Sequence, residues 1–457
     1  MNHKPDNVTL IAPHRIFRKT LTIALRNIQQ FQRVLFVAML CLISMPSVAT
    51  LRPLTEIAAF QTIMVEGEDL AAVLGEPIDK ISLAAVIDDE MEPVPYQIDE
   101  YNSGGAVFFE NWSVPIDGVQ NHFDEADKLL FLQKDAGSRR KPYHRFDGEF
   151  LAEVALTDKD GITRYVYVIK GSRLRSEEQY VRYSAEDALV ETDFYSLTYN
   201  PENHVVWDDF TLVNYIGDEN PLDALKLRMD AGLITSFSKT TLNNNQIVAI
   251  PAGVHVGPIR ASTQMDLTLW LFKMPMLQVS LQIHHYPKSI VYDVRMVIPD
   301  VRRKLLVDPT LSMSLDANNL LGTTVRTALG PKQPGVVDGE IGEVEQQIIE
   351  AGLTATENWI WASTHRNLDI VAFFDFLGDT DEPISTVYVD DKFLEDQPER
   401  FAGQLPNMGY KIESLPETGF FGFVTSLYIS NGFKGDPEDF TKSMRTMPEV
   451  IVRKILK

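Results

Sequence analysis

Three consecutive segments between residues 262 and 298 alternate apolar and polar residues, and their polar positions carry side chains that can bind sugars. An aromatic ring stacks on the C–H face of a sugar, whereas glutamine, aspartate and arginine form hydrogen bonds with its hydroxyl groups. We therefore predict a site for carbohydrate or a similar polyhydroxylated ligand on this polar face. The predicted ligand-binding residues are Trp270, Gln282, His284, Asp293 and Arg295.

Two other interpretations of this face stay open. A sheet face can be polar simply because water covers it, and Trp270 could instead lie beneath a loop or an N-terminal domain. His285 follows His284, but successive side chains of a strand point to opposite faces, so the two cannot bind one metal ion. We expect His285 to be a hydrogen-bonded histidine at the edge of the core.

Two further groups combine aromatic and polar side chains. Trp359 and Trp361 share one strand face and precede His365, an arrangement that suits a stacking platform or a core beneath a loop. In the other group a lyase could use tyrosine and histidine as base and acid, and burial is again the alternative. That group comprises Tyr195, Tyr199, His204, Trp207, Asp208 and Asp209.

Local motifs of the common enzyme classes are absent from the sequence. No G-x-S-x-G, H-E-x-x-H, Walker A or G-x-G-x-x-G pattern occurs, so serine hydrolase, zinc protease, P-loop and Rossmann chemistry have no support. Glycosidases and polysaccharide lyases assemble acids and bases from distant positions, which leaves no local signature. The sequence therefore predicts no cofactor and no metal site, identifies no catalytic residue, and leaves an enzyme open.

A β-sheet must position the polar face of residues 262–298, and the whole chain has the pattern of a mostly β protein. Strand-like alternation is short up to about residue 171 and longer afterwards. We predict a small N-terminal β-sandwich over residues 50–171 and a larger antiparallel two-layer sandwich over residues 172–457. Helix is minor: proline-led starts predict helices at 222–229 and 438–444, and a third is expected at 340–351.

The N-terminus has the pattern of an export signal. Basic residues up to Arg33 precede a largely apolar run, 34–45, and Ser47-Val48-Ala49 offers small residues to a signal peptidase. This run is shorter than the roughly 20 residues that cross a membrane. We predict that residues 1–49 form a signal peptide, that no membrane span remains after cleavage, and that the protein is periplasmic or secreted by a bacterium. An uncleaved signal anchor is the alternative.

Charge and composition narrow the possible partners. The chain of 457 residues has 42 Lys+Arg against 64 Asp+Glu, a formal charge of -22. Because phosphate backbones bind to clustered lysine and arginine, we predict no nucleic-acid partner. The hydrophobic share of 44% indicates a packed core. The single cysteine, Cys41, lies in the export signal, so a mature chain would have no disulfide; the oligomeric state stays open.

One segment carries a resemblance. Between Pro93 and Gly137 the chain reads P-Y-Q-I-D-E, followed by D-E-x-x-x-L-x-F-x-x-x-D-x-G. This segment resembles a recurring pattern of large exported bacterial β-sandwich proteins of unknown function, which implies a β-sandwich and no activity. We interpret its acidic residues, Asp124, Glu125 and Asp127, as turn caps that face water, with binding of a divalent cation as the alternative.

These patterns predict an exported, envelope-associated β-sandwich protein that binds carbohydrate. The alternatives are a polysaccharide lyase or glycoside hydrolase on the same fold, or a structural subunit of an envelope complex. A deep cleft that joins histidine, tyrosine and arginine would favour the enzyme. A shallow aromatic shelf would favour the binding protein, and a flat apolar patch the subunit.

Overall fold

Antiparallel strands make up most of the regular structure, which confirms the mostly β prediction. The computed structural model describes residues 51–456 except 218–219, 234, 272–273, 299–302, 379–381, 395–404 and 418. The side chains of residues 235–236, 268–271 and 274–278 lie outside the description, and so does the predicted signal peptide at 1–49. Residues Pro53–Lys457 form one compact unit. Among the described helices, none is long and apolar enough to cross a membrane.

The strands before residue 213 are mostly short and form three small sheets. In chain order they are β1 Thr62–Glu66, β2 Ile81–Ile87, β3 Glu90–Pro93, β4 Gln97–Asp99, β5 Lys128–Leu132, β6 Glu149–Thr157, β7 Thr163–Lys170, β8 Val181–Ser184, β9 Leu189–Thr192, β10 Tyr195–Tyr199 and β11 Trp207–Leu212.

Many of the later strands are longer, as the sequence predicts, and three short helices lie among the described residues. The strands are β12 Leu222–Leu233, β13 Thr235–Leu242, β14 Ile247–Val256, β15 Ala261–Leu271, β16 Met274–Tyr286, β17 Ser289–Ile298, β18 Leu306–Ala317, β19 Thr324–Thr327, β20 Gly335–Val336, β21 Ile360–Ser363, β22 Asp369–Leu377, β23 Ile384–Val389, β24 Asn407–Ile412, β25 Gly419–Ser430 and β26 Glu449–Lys454. The helices are α1 Glu56–Ala59, α2 Glu343–Ala351 and α3 Pro437–Arg445.

The first sandwich packs a three-stranded sheet, β1-β5-β4, against a five-stranded sheet, β26-β6-β7-β2-β3. The last strand of the chain, β26, therefore belongs to a sheet built mainly from residues before 171, and not to the sheets of residues 172–457 as the domain prediction places it. That division of the chain at residue 171 stays a prediction.

Strand β5 is buried on both faces. Leu129 and Phe131 belong to the core of the first sandwich, whereas Leu130 and Leu132 belong to a second, larger core. Because successive side chains of a strand point to opposite faces, an uninterrupted apolar run is what a strand between two cores requires. The three-stranded sheet is therefore shared between the two cores.

The second sandwich has two unequal layers. A nine-stranded sheet, β14-β15-β16-β17-β25-β22-β21-β19-β20, faces a five-stranded sheet, β13-β12-β18-β24-β23. Leu281 of β16 and Phe423 of β25 lie on the inner face of the larger sheet and pack with Met313 of β18. The remaining sheet, β11-β10-β9-β8, adds Trp207 and Phe210 to the same core.

One predicted helix is a strand, and two are confirmed. The prediction of a helix at 222–229 is wrong. These residues form part of β12, which pairs with β18 and contributes side chains to the second core. The Asn220 side chain accepts hydrogen bonds from the backbone N–H of Phe210 and of Leu222, so Asn220 closes a turn and caps no helix. Asp436 does cap α3, because its side chain accepts from the Glu438 N–H.

Candidate functional site

The outer face of the nine-stranded sheet carries the predicted ligand-binding residues in rows that cross the strands. Backbone pairing sets each row: Gln264 lies opposite Gln282, which lies opposite Asp293. We name this the covered row. The next row runs through Ile250, Asp266, Ser280 and Arg295, and beyond it Val248 pairs with Thr268 and Val297 with Phe420. We name these two the open rows.

A loop of the first sandwich lies on the covered row. Gln282 is 1% exposed; its Oε1 accepts from the Val107 N–H at 3.1 Å, and its Nε2 donates to the Val107 carbonyl at 2.8 Å and to Gln264 Oε1 at 2.9 Å. The amide thus bonds to Val107 as a neighbouring strand would. The alternation of the sequence predicts that this side chain is exposed to solvent. That prediction is wrong, because residues distant in sequence cover the face.

His284 and Asp293 also belong to this buried layer. The Nδ1 atom of His284 lies 2.8 Å from the Ser262 hydroxyl, and burial lowers the pKa of His284 well below its usual value, so the ring is neutral. Arg295 donates from Nε and Nη2 to the two carboxylate oxygens of Asp293, at 2.8 and 2.9 Å, and from Nη1 to the Gly104 carbonyl. The guanidinium group of Arg295, which we predicted to bind a ligand, is therefore paired with Asp293.

Trp270 is the one predicted residue whose side chain lies outside the description. Its backbone is part of β15, opposite Pro275, at a register shift that follows Leu269. Ligand binding by the five residues stays a prediction. The prediction that their side chains are exposed is wrong for Gln282, His284 and Asp293, which are buried.

We expect Gln282→Ala to lower the free energy of unfolding by about 1–3 kcal/mol, because the Val107 N–H would be left buried without a partner. The Val107 carbonyl would keep only the longer bond from Asn102 Nδ2, at 3.3 Å. Urea denaturation measures this loss. The control is Gln346→Ala, since Gln346 is exposed and its amide bonds to an exposed glutamate, Glu350; its effect should fall within about 0.5 kcal/mol. Equal effects of the two changes would show that the Val107 contact does not stabilise the fold.

A second polar cluster lies at the other end of the covering loop and was not identified from the sequence. Arg260 donates from Nε to Asp99 Oδ2 at 2.7 Å, and Gln97 donates to Asp99 Oδ1 at 2.6 Å. Arg260 also donates to the hydroxyl groups of Tyr286 and Tyr101, at 2.6 and 3.2 Å. Burial alone would raise the pKa of Asp99, but the Arg260 guanidinium holds it well below the usual value.

His255 connects this cluster to solvent. Its Nε2 lies 3.0 Å from Asp99 Oδ1, and 44% of its side chain is exposed. A buried carboxylate that orients a partly exposed imidazole is an arrangement that general acid–base catalysis also uses. Here the pair joins β4 of the first sandwich to the edge strand β14 of the second, so it stabilises their contact.

We expect stability to decline with rising pH because of His255. The hydrogen bond to Asp99 raises the pKa of His255 above 6.5 in the folded protein. A raised folded-state pKa gives stabilisation that is complete below pH 6.5 and is lost as pH rises through the folded value. Urea midpoints measured above pH 6.5 should therefore fall, and His255→Gln should flatten that slope. The control is His122→Gln, in which the slope should persist. If the slope also persisted in His255→Gln, His255 would not be its cause.

The open rows form a shelf that faces solvent. Ile250 is 54% exposed, Val297 66% and Phe420 51%. The surface crosses five strands, so at the usual strand spacing it is about 19 Å wide. The covering loop borders it: Phe109 packs over Gly253 at a bulge of β14, where a Cβ atom would lie 3.0 Å from the ring. The described residues of the shelf are Val248, Ile250, Asp266, Ser280, Arg295, Val297 and Phe420.

The tyrosine and histidine group lies inside the second core. The hydroxyl of Tyr199 is 3.0 Å from His285 Nε2, and that of Tyr195 is 3.3 Å from His285 Nδ1. All three residues are at most 2% exposed, and burial lowers the pKa of His285 to about 3. His285 is thus a hydrogen-bonded core histidine, as expected. His204 and Trp207 are also buried, so the tyrosines and the histidine that a lyase would use have no access to solvent, whereas Asp209 of the same group is exposed.

The tryptophan pair is buried as well. Trp359 and Trp361 are each 8% exposed and pack with Phe440 of α3 in a small cluster on the outer face of the large sheet. This confirms core burial and not a stacking platform. His365 lies nearby in a turn, where its Nε2 is 3.0 Å from the Thr324 hydroxyl.

Two acidic residues near β5 cap turns, but Asp127 is buried and does not face water as we predicted. Asp127 accepts from the Asp124 N–H at 2.9 Å, and Asp124 accepts from the Val119 N–H at 2.8 Å. Burial raises the pKa of Asp127 to about 7. In the part of the chain that the structure describes, no three histidine, cysteine, aspartate or glutamate side chains converge to hold a metal ion.

Comparisons with known proteins show only distant likeness. No protein-family model matches the sequence, and no curated protein matches it. Among solved structures, an α-mannosidase from Enterococcus faecalis V583 has a TM-score of 0.43 at 11% identity, over 87% of this chain and 44% of its own length. The heparan sulfate lyase HepC from Pedobacter heparinus has a TM-score of 0.27 at 10% identity, over 54% of this chain and 34% of its own. This chain thus spans less than half of either protein, and the likeness is one of β-rich domains.

Proposed function

We propose that this protein is an exported β-sandwich protein that binds carbohydrate or a similar polyhydroxylated polymer of the bacterial envelope on the shelf. The observation that carries the proposal is the division of the outer sheet face into a covered row and two open rows. The loop at residues 102–109 covers one end and leaves a solvent-exposed surface beside it. A linear polymer fits such a surface better than a small molecule would, because the shelf is wide and shallow.

The side chains of the shelf suit the two faces of a sugar. Phe420 and Ile250 offer apolar surface to the C–H groups. The carboxylate of Asp266 can accept hydrogen bonds from sugar hydroxyls, and the hydroxyl of Ser280 can donate or accept them. Arg295 lies where the shelf meets the loop, and its bond to Asp293 fixes its position.

Export is the second part of the proposal. It rests on residues 1–49, whose basic start, apolar run and small residues before Thr50 have the pattern of a cleaved signal. N-terminal sequencing of the protein isolated from its host should find Thr50 first. Recovery of an intact Met1 in the membrane fraction would contradict cleavage.

A structural subunit of an envelope complex is the rival function, favoured by the aliphatic side chains Val248, Ile250 and Val297. A patch of exposed aliphatic residues on one sheet face can mark a protein contact as well as a ligand site. The two functions differ in what the isolated protein binds: the binding protein retains polysaccharide by itself, whereas the subunit requires another protein. An enzyme would in addition release soluble products from the polysaccharide.

We expect the protein to co-sediment with purified peptidoglycan or with another insoluble polysaccharide of a test panel. Phe420→Ala should weaken that binding by about 1–3 kcal/mol through loss of the stacking surface, with little change in melting temperature. The matched control is Phe393→Ala, since Phe393 is 80% exposed and lies outside the shelf. Equal binding by both variants, or no binding by the unmodified protein to any polysaccharide, would contradict the proposal.

A further inference from the structure

Strand β26 is the edge of the five-stranded sheet in the first sandwich. It pairs with β6 on one side, and no described strand pairs with the other side. Beyond the strand, the amide of Ile455 donates to the Leu151 carbonyl of the β6 side at 2.9 Å. Successive residues of a strand direct their N–H and C=O groups to alternate sides. Odd-numbered residues of β26 therefore bond to β6, and residues 450, 452 and 454 present their backbone groups outward.

The centre of β26, Val450-Ile451-Val452, is apolar and partly exposed. Val450 is 38% exposed and Ile451 36%, while Val452 lies partly against the core of the first sandwich. An edge strand with unpaired backbone groups and apolar side chains is a template for a further strand.

Two other sheet edges in the described part of the chain carry features that prevent pairing. Strand β3, at the opposite edge of the same sheet, contains Glu90, Glu92 and Pro93 in four residues. Strand β14, at the edge of the nine-stranded sheet, contains Pro251 and a bulge. Proline, acidic side chains and bulges are the features that prevent pairing at an edge. Strand β26 has charged residues only towards its ends, Glu449, Arg453 and Lys454, and its centre, Val450-Ile451-Val452, has no proline, charge or bulge, so that centre is available for pairing.

We propose that β26 pairs antiparallel with β26 of a second copy of this chain. The argument for this occupant is that the strand is complementary to itself. In an antiparallel pair, two residues lie opposite each other only if their backbone groups face the same way, so odd positions must meet odd positions. The register with Ile451 on the two-fold axis places Glu449 opposite Arg453 of the partner subunit, and Val450 opposite Val452 of the partner subunit.

This register satisfies backbone, apolar and charged groups together. The outward-facing Val450 and Val452 form the hydrogen-bonded pairs, and the two isoleucines meet at the closely spaced non-bonded position. The two valines share the sheet face that carries Val154 and Leu156 of β6, which belong to the core of the first sandwich. The pairing therefore continues that core across the axis, and opposite charges face each other at both ends.

Light scattering of the full chain after size exclusion, over a series of concentrations, tests the proposal. We expect a concentration-dependent dimer. Ile451→Lys should weaken it at least about ten-fold, because two like charges would meet on the axis. The control is Val119→Lys, at a position that is 62% exposed outside β26. Melting temperatures of both variants establish that each is folded.

A charge exchange identifies the partner as a second copy in this register. Glu449→Arg alone and Arg453→Glu alone each place like charges opposite each other, and each should weaken the dimer. A mixture of the two variants, one of them labelled, should form a heterodimer more tightly than either variant pairs with itself. Arg453 also bonds to Glu153 at 3.3 Å, so the melting temperature of Arg453→Glu is measured first. A monomer at every concentration, or a dimer that Ile451→Lys leaves intact, would overturn the proposal.

Discussion

Replacing Arg260 with alanine should lower the free energy of unfolding by about 3–5 kcal/mol, because the buried carboxylate of Asp99 would keep only the partly exposed imidazole of His255 to compensate its charge. Arg260 is 2% exposed and Asp99 1%. Two tyrosine hydroxyl groups, of Tyr101 and Tyr286, would lose their partner as well. Urea denaturation measures the loss.

The double variant Asp99→Ala/Arg260→Ala is the control for this prediction. Once both charges are removed, neither is left uncompensated, so the double variant should lose less than the sum of the two single losses. A single-variant loss below about 1 kcal/mol would show that solvent reaches the pair and that it does not hold the two sandwiches together.

Leu281→Ala should cost about 2–5 kcal/mol, because Leu281 is 3% exposed and lies between the two layers of the second sandwich. The site borders an apolar cavity of about 40 Å³, and deletion of the side chain enlarges it. Val297→Ala removes apolar atoms from the opposite face of the same sheet. Since Val297 is 66% exposed, its replacement should stay within about 0.5 kcal/mol. Similar losses at both positions would mean that the shelf is covered in solution.

Strand parity could be predicted from the sequence, because alternation is a local property. Leu281, Val294 and Met296 point inward, and Arg295 and Val297 point outward, as their spacing indicates. The element at 222–229 could not be assigned in the same way. Its leucines fit either period, and pairing with β18, about ninety residues later, determines that it is a strand.

What covers a face could not be predicted from the sequence. The loop that buries Gln282 precedes it by 175 residues, and its contact is made by the backbone of Val107, which carries no sequence signal. Gln97 and Asp99 did carry a sequence signal, because two polar residues share one face of β4 while Ile98 points to the core. Their partner Arg260 lies more than 160 positions later and cannot be identified by spacing.

The place of β26 in the first sandwich has a consequence for the order in which the protein can fold. Residues 449–454 complete a sheet whose other strands lie between residues 81 and 170. As the chain is synthesised, that early sheet stays incomplete until nearly all of the second sandwich has been made. Val452 cannot close the core, and the side of β6 that receives β26 stays open in the meantime. The nascent protein therefore needs protection from aggregation for most of its synthesis, even though its first sandwich is small.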